Sequence, residues 1–127
     1  WNGVEKNIDK GVKLLQLAVK NGNIQAADRL FEICKDDKML DPDVMFKMYW
    51  IKAQEISDTN VMYKLAECYK NGIGVDQSDE SAFTWYLKAA NCGNVDAMNC
   101  IGDCYMFGEG VSQDFDKASE WYEKADI

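Results

Sequence analysis

Five cysteines are the most reactive side chains in this 127-residue chain. They are Cys34, Cys68, Cys92, Cys100 and Cys104. None belongs to a Cys-x-x-Cys pair, and the chain has no histidine, so a zinc site would need thiolates or carboxylates alone in an unfamiliar spacing. Free cysteine is often a small buried apolar side chain, and reduced thiols are typical of the cytoplasm. We therefore expect most of these cysteines to be core residues of a protein in a reducing, cytoplasmic compartment, with no metal.

Carboxylates and glycine-rich turns are the other candidates for chemistry. The acidic residues around Asp36-Asp37 and Asp41 lack the central glycine and closing glutamate of a calcium loop. The Gly-x-Gly stretches at 72–74 and 108–110 follow helical segments and lack the third glycine of a nucleotide loop. Without histidine the usual general base is missing. We expect no cofactor and no enzymatic activity, and a small-molecule-binding or enzymatic protein remains as an alternative.

The charge balance narrows the class of partner. The net charge is −8, from 22 acidic and 14 basic residues, whereas nucleic-acid affinity rests on clustered lysine and arginine. No apolar run reaches the roughly 18 residues of a membrane span. We therefore expect no nucleic-acid partner and no membrane insertion, and an acidic surface favours a basic partner. Because the first residue is Trp1, we also expect a native targeting signal to be missing from this fragment.

The elements that position these residues repeat along the chain. A shift of 36 residues aligns Leu65–Tyr69 with Ile101–Tyr105, Gly72 and Gly74 with Gly108 and Gly110, and Trp85-Tyr86 with Trp121-Tyr122. The same shift aligns Tyr49–Ala53 with Trp85–Ala89, although "KDDKMLDPDV" replaces the Gly-x-Gly loop there. Gly3-Val4 matches Gly110-Val111, so the chain is predicted to open in a loop between two helices. The prediction is a single array over 1–127, cut from a longer one, with a partial repeat at 1–22, a degenerate repeat at 23–57, and repeats at 58–93 and 94–127.

Each repeat is predicted to be a pair of helices. Met62, Leu65, Ala66 and Tyr69 recur at helical spacing, and each half is too short to be stable alone. Neighbouring pairs must therefore stack to cover their apolar faces. The predicted helices are 8–21, 24–35, 41–56, 60–71, 79–92, 95–107 and 115–126.

Two stretches of the sequence resemble a known repeat family. The segments "LAECYKNGIGVDQSDESAFTWYLKAANCGN" and "IGDCYMFGEGVSQDFDKASEWYEKA" resemble the Sel-1-like repeat, a relative of the tetratricopeptide repeat. The resemblance covers 61–127 and 3–24 well and 25–60 weakly. It implies an all-α protein, an α/α superhelical solenoid of about three and a half 36-residue helix pairs, that serves as a non-catalytic scaffold or adaptor. The alternative is a regulatory or spacer segment of a larger protein whose catalytic domain lies outside this fragment.

One cysteine-rich secreted branch of the family joins adjacent helices by disulfides between cysteines eight positions apart. Cys92 and Cys100 have this separation. In that branch, however, the pair stands two positions earlier, where Ala90 and Met98 stand here. The resemblance therefore leaves a Cys92–Cys100 bridge as an alternative to reduced thiols.

The resemblance also implies a binding surface, because in the related tetratricopeptide geometry the first helix of each unit lines the concave face. By register, the residues placed there are Gln25, Asp28, Glu32, Lys35, Asn60, Tyr63, Glu67, Lys70, Asp96, Asn99, Asp103 and Met106. Five of the twelve are acidic and two are basic. The predicted partner is another protein, through a basic or amphipathic segment; the alternative is that these are ordinary solvated faces.

The ends of the array are predicted to carry uncovered apolar faces. We expect one at Ile8, Val12 and Leu15 and another on the 114–127 helix. The chain would then self-associate through its terminal helices, or flanking sequence would cover them.

Overall fold

The computed structural model describes residues 2–34, 40–55 and 57–126, with side chains from Lys10 onward. This part of the chain holds seven helices and no strand. They are α1 (Asn2–Lys20), α2 (Ile24–Ile33), α3 (Pro42–Glu55), α4 (Thr59–Asn71), α5 (Asp79–Asn91), α6 (Val95–Phe107) and α7 (Phe115–Asp126). Each packs against its neighbours in the chain, and α1 also contacts α3. The predicted all-α solenoid is confirmed.

The predicted loop at Gly3-Val4 is wrong, because α1 runs unbroken from Asn2. In the later repeats the loop is held by the preceding helix pair. Gly74 lies against Pro42, and a Cβ atom added to Gly74 would come within 2.2 Å of the Pro42 carbonyl oxygen. Gly3 and Val4 have a helical backbone, so the sequence match with Gly110-Val111 does not bring the loop conformation with it.

Helix ends follow local sequence chemistry. Asn23 and Asn94 cap α2 and α6, each accepting a hydrogen bond from the backbone N–H three residues later. Gly72 and Gly108 end α4 and α6 in the left-handed conformation, with φ of 67° and 68°. These caps fix where each helix turns back on its partner.

The core has two clusters that meet in the middle of the molecule. Leu30 and Leu65 are fully buried in the first, which joins α1 to α4. Tyr86 and Ile101 anchor the second. Trp85 packs against both. The apolar interior is therefore continuous along the stack.

The degenerate repeat is offset from the predicted register by one residue. Phe46 meets Tyr69 edge-to-face at 5.3 Å and 88°, and Phe83 meets Tyr105 in the same way at 5.6 Å and 84°. Phe46 is thus the counterpart of Phe83, at a separation of 37 residues and not 36. Buried Tyr49 correspondingly occupies the place of Tyr86. The predicted alignment matched residue types, whereas packing follows the buried face of the helix.

The exposed apolar residues at the first end are not the predicted ones. Val12 is buried in the core and Leu15 packs against it, while the side chain of Ile8 lies outside the described residues. Leu14 and Leu17 are exposed instead, at 61% and 58%. They lie on the side of α1 that faces away from the core.

At the other end, Phe107 and Phe115 are exposed, and α7 buries Ala118. Within the described residues, no helix has both the length and the apolar character that a membrane span requires.

Candidate partner-binding face

The helices α2, α4 and α6 are the first helices of three stacked pairs. Leu30, Leu65 and Ile101 are fully buried at matching positions on them. Because side chains half a turn away from a buried position point outward, each helix presents a polar face. We call the three together the first-helix face.

The predicted site residues divide by exposure. Those exposed on the first-helix face are Gln25, Glu32, Asn60, Lys70, Asp96, Asn99 and Asp103. The half-buried ones are Asp28, Tyr63, Glu67 and Met106. Lys35 lies outside the described residues.

Side chains connect α4 with the start of α6. The Asn94 side-chain amide donates to the Thr59 hydroxyl at 3.3 Å and to the Asn60 side-chain oxygen Oδ1 at 3.4 Å. Tyr63 of α4 also interacts with Cys100 of α6. Among the candidates, Asn60 and Tyr63 are therefore the ones that these contacts tie to the next repeat.

Tyr63 belongs to a small cluster of neutral groups. Its ring centroid lies 5.6 Å from that of Tyr86. Burial, followed by a hydrogen bond with Glu67, raises the pKa of Tyr63 above its usual value. Burial likewise raises the pKa of the Cys100 thiol. Both groups stay protonated at neutral pH, so the cluster offers contact area and hydrogen bonds, and it holds no activated nucleophile.

Besides Glu67, which interacts with Tyr63, two acidic candidates are engaged within the molecule. Asp28 accepts a hydrogen bond from Lys52 Nζ at 2.7 Å. Asp103 accepts one from the Tyr122 hydroxyl, and burial followed by this bond raises the pKa of Tyr122 to about 12. Both partners stand on second helices at sequence distances of 24 and 19 residues. Nothing in the helical periodicity marks such pairs.

Sequence reasoning also missed Arg29. It lines a shallow depression of about 400 Å³ together with Gln25, Asp28 and Glu32. The signal was available, because residues 25 and 29 are one helical turn apart and share a face. Arg29 adds a positive charge that the predicted set did not include.

The remaining reactive groups do not converge. Among the described residues, no three cysteine or carboxylate side chains gather in a way that could hold a metal ion. Cys92 and Cys100 are both free thiols, and the bridge between them is absent. Cys92 is exposed at the end of α5, whereas Cys100 is half-buried beside Tyr63 and Tyr86.

Comparisons with known proteins agree with this architecture. The family described as Sel1 repeat matches residues 1–23, 60–94 and 95–125, which is more than half of the chain. A crystal structure of a Sel1 repeat protein from Oxalobacter formigenes is similar, with 29% identity and a TM-score of 0.69 over 90% of this chain and 88% of that chain. No curated protein sequence matches the chain.

Two further structures share the fold. One is c5321, a protective antigen of uropathogenic Escherichia coli with an SLR fold; identity is 24% and the TM-score 0.71, over 88% of this chain and 24% of that chain. The other is Helicobacter pylori cysteine rich protein B, with 23% identity and a TM-score of 0.68 over 96% of this chain and 88% of that chain. At these identities the likeness concerns the fold alone.

Proposed function

The chain belongs to the Sel1 repeat family, whose members generally mediate protein–protein interactions, and from that premise we propose that it binds a segment of a partner protein along the first-helix face. In this role the chain is a scaffold or adaptor module and carries out no reaction itself. The observation that supports this most is the chemistry of that face.

The first-helix face carries more acidic than basic side chains. Of the eleven described candidate residues five are acidic and Lys70 is basic, and Arg29 adds a second positive charge beside Gln25, Asp28 and Glu32. Glu32 and Asp96 are exposed, which leaves their carboxylates accessible to a cationic partner. Complementary charge steers association and selects the partner, although each exposed pair contributes little affinity.

Apolar contacts would supply the remaining affinity. Tyr63 and Met106 are half-buried on this face, and such aromatic and thioether side chains are enriched at interfaces. A basic amphipathic segment, extended or helical, fits this combination of acidic rim and apolar contacts.

The test uses peptides selected from a displayed random library against the wild-type protein. We expect basic amphipathic sequences to be enriched. Replacing Glu32→Lys and Asp96→Lys together should weaken the selected peptides by about tenfold or more, which is about 1.4 kcal/mol. Fluorescence polarisation measures the affinity.

A matched control carries the same charge change elsewhere. Asp76→Lys with Glu120→Lys alters two exposed acids outside the first helices and should leave the affinity within about threefold. Equal losses of affinity in both double variants would mean that the change in net charge alone causes the effect. Unchanged affinity in Glu32→Lys/Asp96→Lys would place the binding site elsewhere and reject the proposal.

A further inference from the structure

A cavity of about 630 Å³ opens where the end of α1, the outer side of α3 and the loop after α4 meet. Its lining includes Lys20, Asp43, Phe46, Lys47, Trp50, Tyr69 and Val75. We call it the aromatic–lysine cavity. Its volume lies within the roughly 300–1,000 Å³ range of ligand pockets, and none of its lining residues belongs to the predicted binding set.

Three aromatic rings form its apolar part. Phe46 packs edge-to-face on Tyr69 at 5.3 Å and lies 6.3 Å from Trp50 at an interplanar angle of 24°. Trp50 in turn meets Trp85 at 6.0 Å. Contacts to neighbouring rings hold these side chains in place, yet Trp50 remains 41% exposed. The cavity therefore offers a preorganised aromatic surface to an incoming apolar group.

Two ammonium groups stand at the cavity. Lys47 Nζ donates to the Lys20 carbonyl oxygen at 2.8 Å, which uses one of its three donors. Lys20 Nζ lies 3.8 Å from the carboxylates of Asp41 and Asp43, farther than a hydrogen bond reaches. Lys20 is therefore paired with two acidic neighbours, whereas among the described residues no carboxylate lies within 4 Å of Lys47 Nζ, which keeps donors for an incoming carboxylate.

The next repeat provides an internal comparison. Phe83 and Tyr105 reproduce the ring pair of Phe46 and Tyr69. In the same register, 37 residues on, Thr84 stands in place of Lys47 and Leu87 in place of Trp50. The second repeat junction therefore keeps the structural ring pair without a lysine or a tryptophan at these two positions, and its cation is Lys117, whose Nζ lies 5.5 Å from the Tyr105 ring centroid. The exposed indole and the lysine beside it on the same helix are specific to the first junction.

We propose that the aromatic–lysine cavity binds a segment of a partner protein in which a large aromatic side chain is flanked by a carboxylate. The aromatic side chain would pack on Trp50 and Phe46, and the carboxylate would take the open donors of Lys47. Charge complementarity at Lys47 supports this occupant, because Asp41 and Asp43 are paired with Lys20 and the Lys47 ammonium remains to attract an anionic group.

The cavity is independent of the first-helix face. Tyr69 lies two residues after Glu67 on α4, which is about 200° around the helix axis. Glu67 belongs to the first-helix face and Tyr69 to the cavity, so a basic segment and an acidic aromatic segment would be bound on opposite sides of the stack. The chain could then hold two partner segments together.

The test titrates the isotopically labelled chain with N-acetyl-tryptophan and with N-acetyl-tryptophanamide, which lacks the carboxylate, and follows backbone and indole NMR signals. We expect saturable shifts at Phe46, Trp50 and Val75, with affinities near 1 mM for so small a probe. The acid should bind at least about threefold more tightly than the amide. The peptide acetyl-Asp-Trp-Asp-amide should bind more tightly than either.

The variants come from the second repeat junction. Trp50→Leu, the counterpart of Leu87, should abolish saturable binding of both probes. Lys47→Thr, the counterpart of Thr84, should retain amide binding and remove the preference for the acid. Far-ultraviolet circular dichroism and the thermal midpoint verify that each variant is folded.

Several results would overturn the proposal. Shifts that do not saturate, that fall on the first-helix face, or that survive Trp50→Leu in a folded protein would each reject the cavity as the site. Tighter binding of N-acetyl-tryptophan than of the peptide would indicate a small-molecule ligand instead. Cavity signals that shift with protein concentration alone would indicate that a second copy of the chain fills it.

Discussion

At the residue scale, two glycines with similar backbone conformations have very different surroundings. Gly74 has φ of 70° and Gly93 has φ of 97°. A Cβ atom at Gly74 would collide with the Pro42 backbone, whereas a Cβ atom at Gly93 would meet nothing within 4 Å. Substitutions at these two glycines therefore distinguish the free-energy cost of a left-handed backbone from that of a steric clash.

We predict that Gly74→Ala destabilises the protein by about 1–3 kcal/mol more than Gly93→Ala does. Gly93→Ala should cost about 1–2 kcal/mol for its positive φ alone. Urea denaturation measures both free energies of unfolding. Equal losses would mean that the loop at 72–78 moves freely away from α3, contrary to the contact described above.

Cysteine reactivity provides a second prediction at this scale. Cys92 is exposed, while Cys104 is buried and burial raises its pKa to about 11. At pH 8 roughly a thousandth of such a thiol is ionised. We expect one thiol to react rapidly with Ellman's reagent in the native protein, and Cys92→Ser to remove that phase. The absence of a fast thiol until a reductant is added would instead indicate the Cys92–Cys100 bridge.

At the scale of elements, Asp28 of α2 and Lys52 of α3 form a polar contact between neighbouring helices. The hydrogen bond from Lys52 holds the pKa of Asp28 below its usual value and raises that of Lys52. A carboxylate whose pKa is lowered by folding stabilises the protein above its unfolded-state pKa, here about 4. This contribution is lost as the pH falls through the lower, folded-state pKa.

We therefore predict that Asp28→Asn lowers the thermal midpoint at pH 7, and that the difference from wild type narrows as the pH falls below about 4. Differential scanning calorimetry between pH 7 and pH 2.5 measures this. Glu120→Gln, at an exposed acid in the middle of α7, is the control and should change the midpoint little throughout. A difference in thermal midpoint between Asp28→Asn and wild type that stays constant from pH 7 to pH 2.5 would contradict the ion-pair explanation.

At the scale of the whole molecule, the two core clusters predict graded stability along the stack. Leu30 lies in the first cluster and Ile101 in the second, and in repeat proteins each unit is coupled mainly to its neighbours. Large-to-small changes at such buried positions cost about 2–5 kcal/mol. The loss of stability should therefore be largest in the repeat that carries the substitution.

We predict that Leu30→Ala accelerates amide hydrogen exchange in α1–α3 by about tenfold or more and in α6–α7 by less than about threefold. Ile101→Ala should give the reverse pattern. Mass spectrometry after proteolysis locates the exchange. Uniform acceleration over all helices in both variants would show a single cooperative unit.

The exposed ends predict concentration-dependent association. Leu14 and Leu17 are uncovered on α1, and Phe107 and Phe115 are uncovered near the other end. We propose that these ends stack on one another, copy upon copy. Sedimentation velocity should show larger species at high concentration, and Leu14→Glu with Leu17→Glu should restore the monomer. Val95→Glu changes another exposed apolar residue, which is 49% exposed, and serves as the control. A wild-type protein that stays monomeric at every concentration would exclude the stacking.

The sequence by itself determined the fold, because the features that specify it are local. Helical spacing of apolar residues predicted the seven helices, with the start of α1 at Asn2 as the exception. The recurrence of the same pattern showed that the pairs must stack. Each of these signals depends on residues within a few turns of one another, where backbone geometry alone dictates which side chains meet.

The tertiary structure decided what depends on contacts between helices. Packing between helices makes Phe46 the counterpart of Phe83, 37 residues later. It brings Asp28 to Lys52 and Asp103 to Tyr122, and it forms the aromatic–lysine cavity. Such features depend on how closely two faces approach, which the spacing within either helix leaves undetermined. Periodicity fixes which side of a helix is buried, but only packing fixes what lies opposite it.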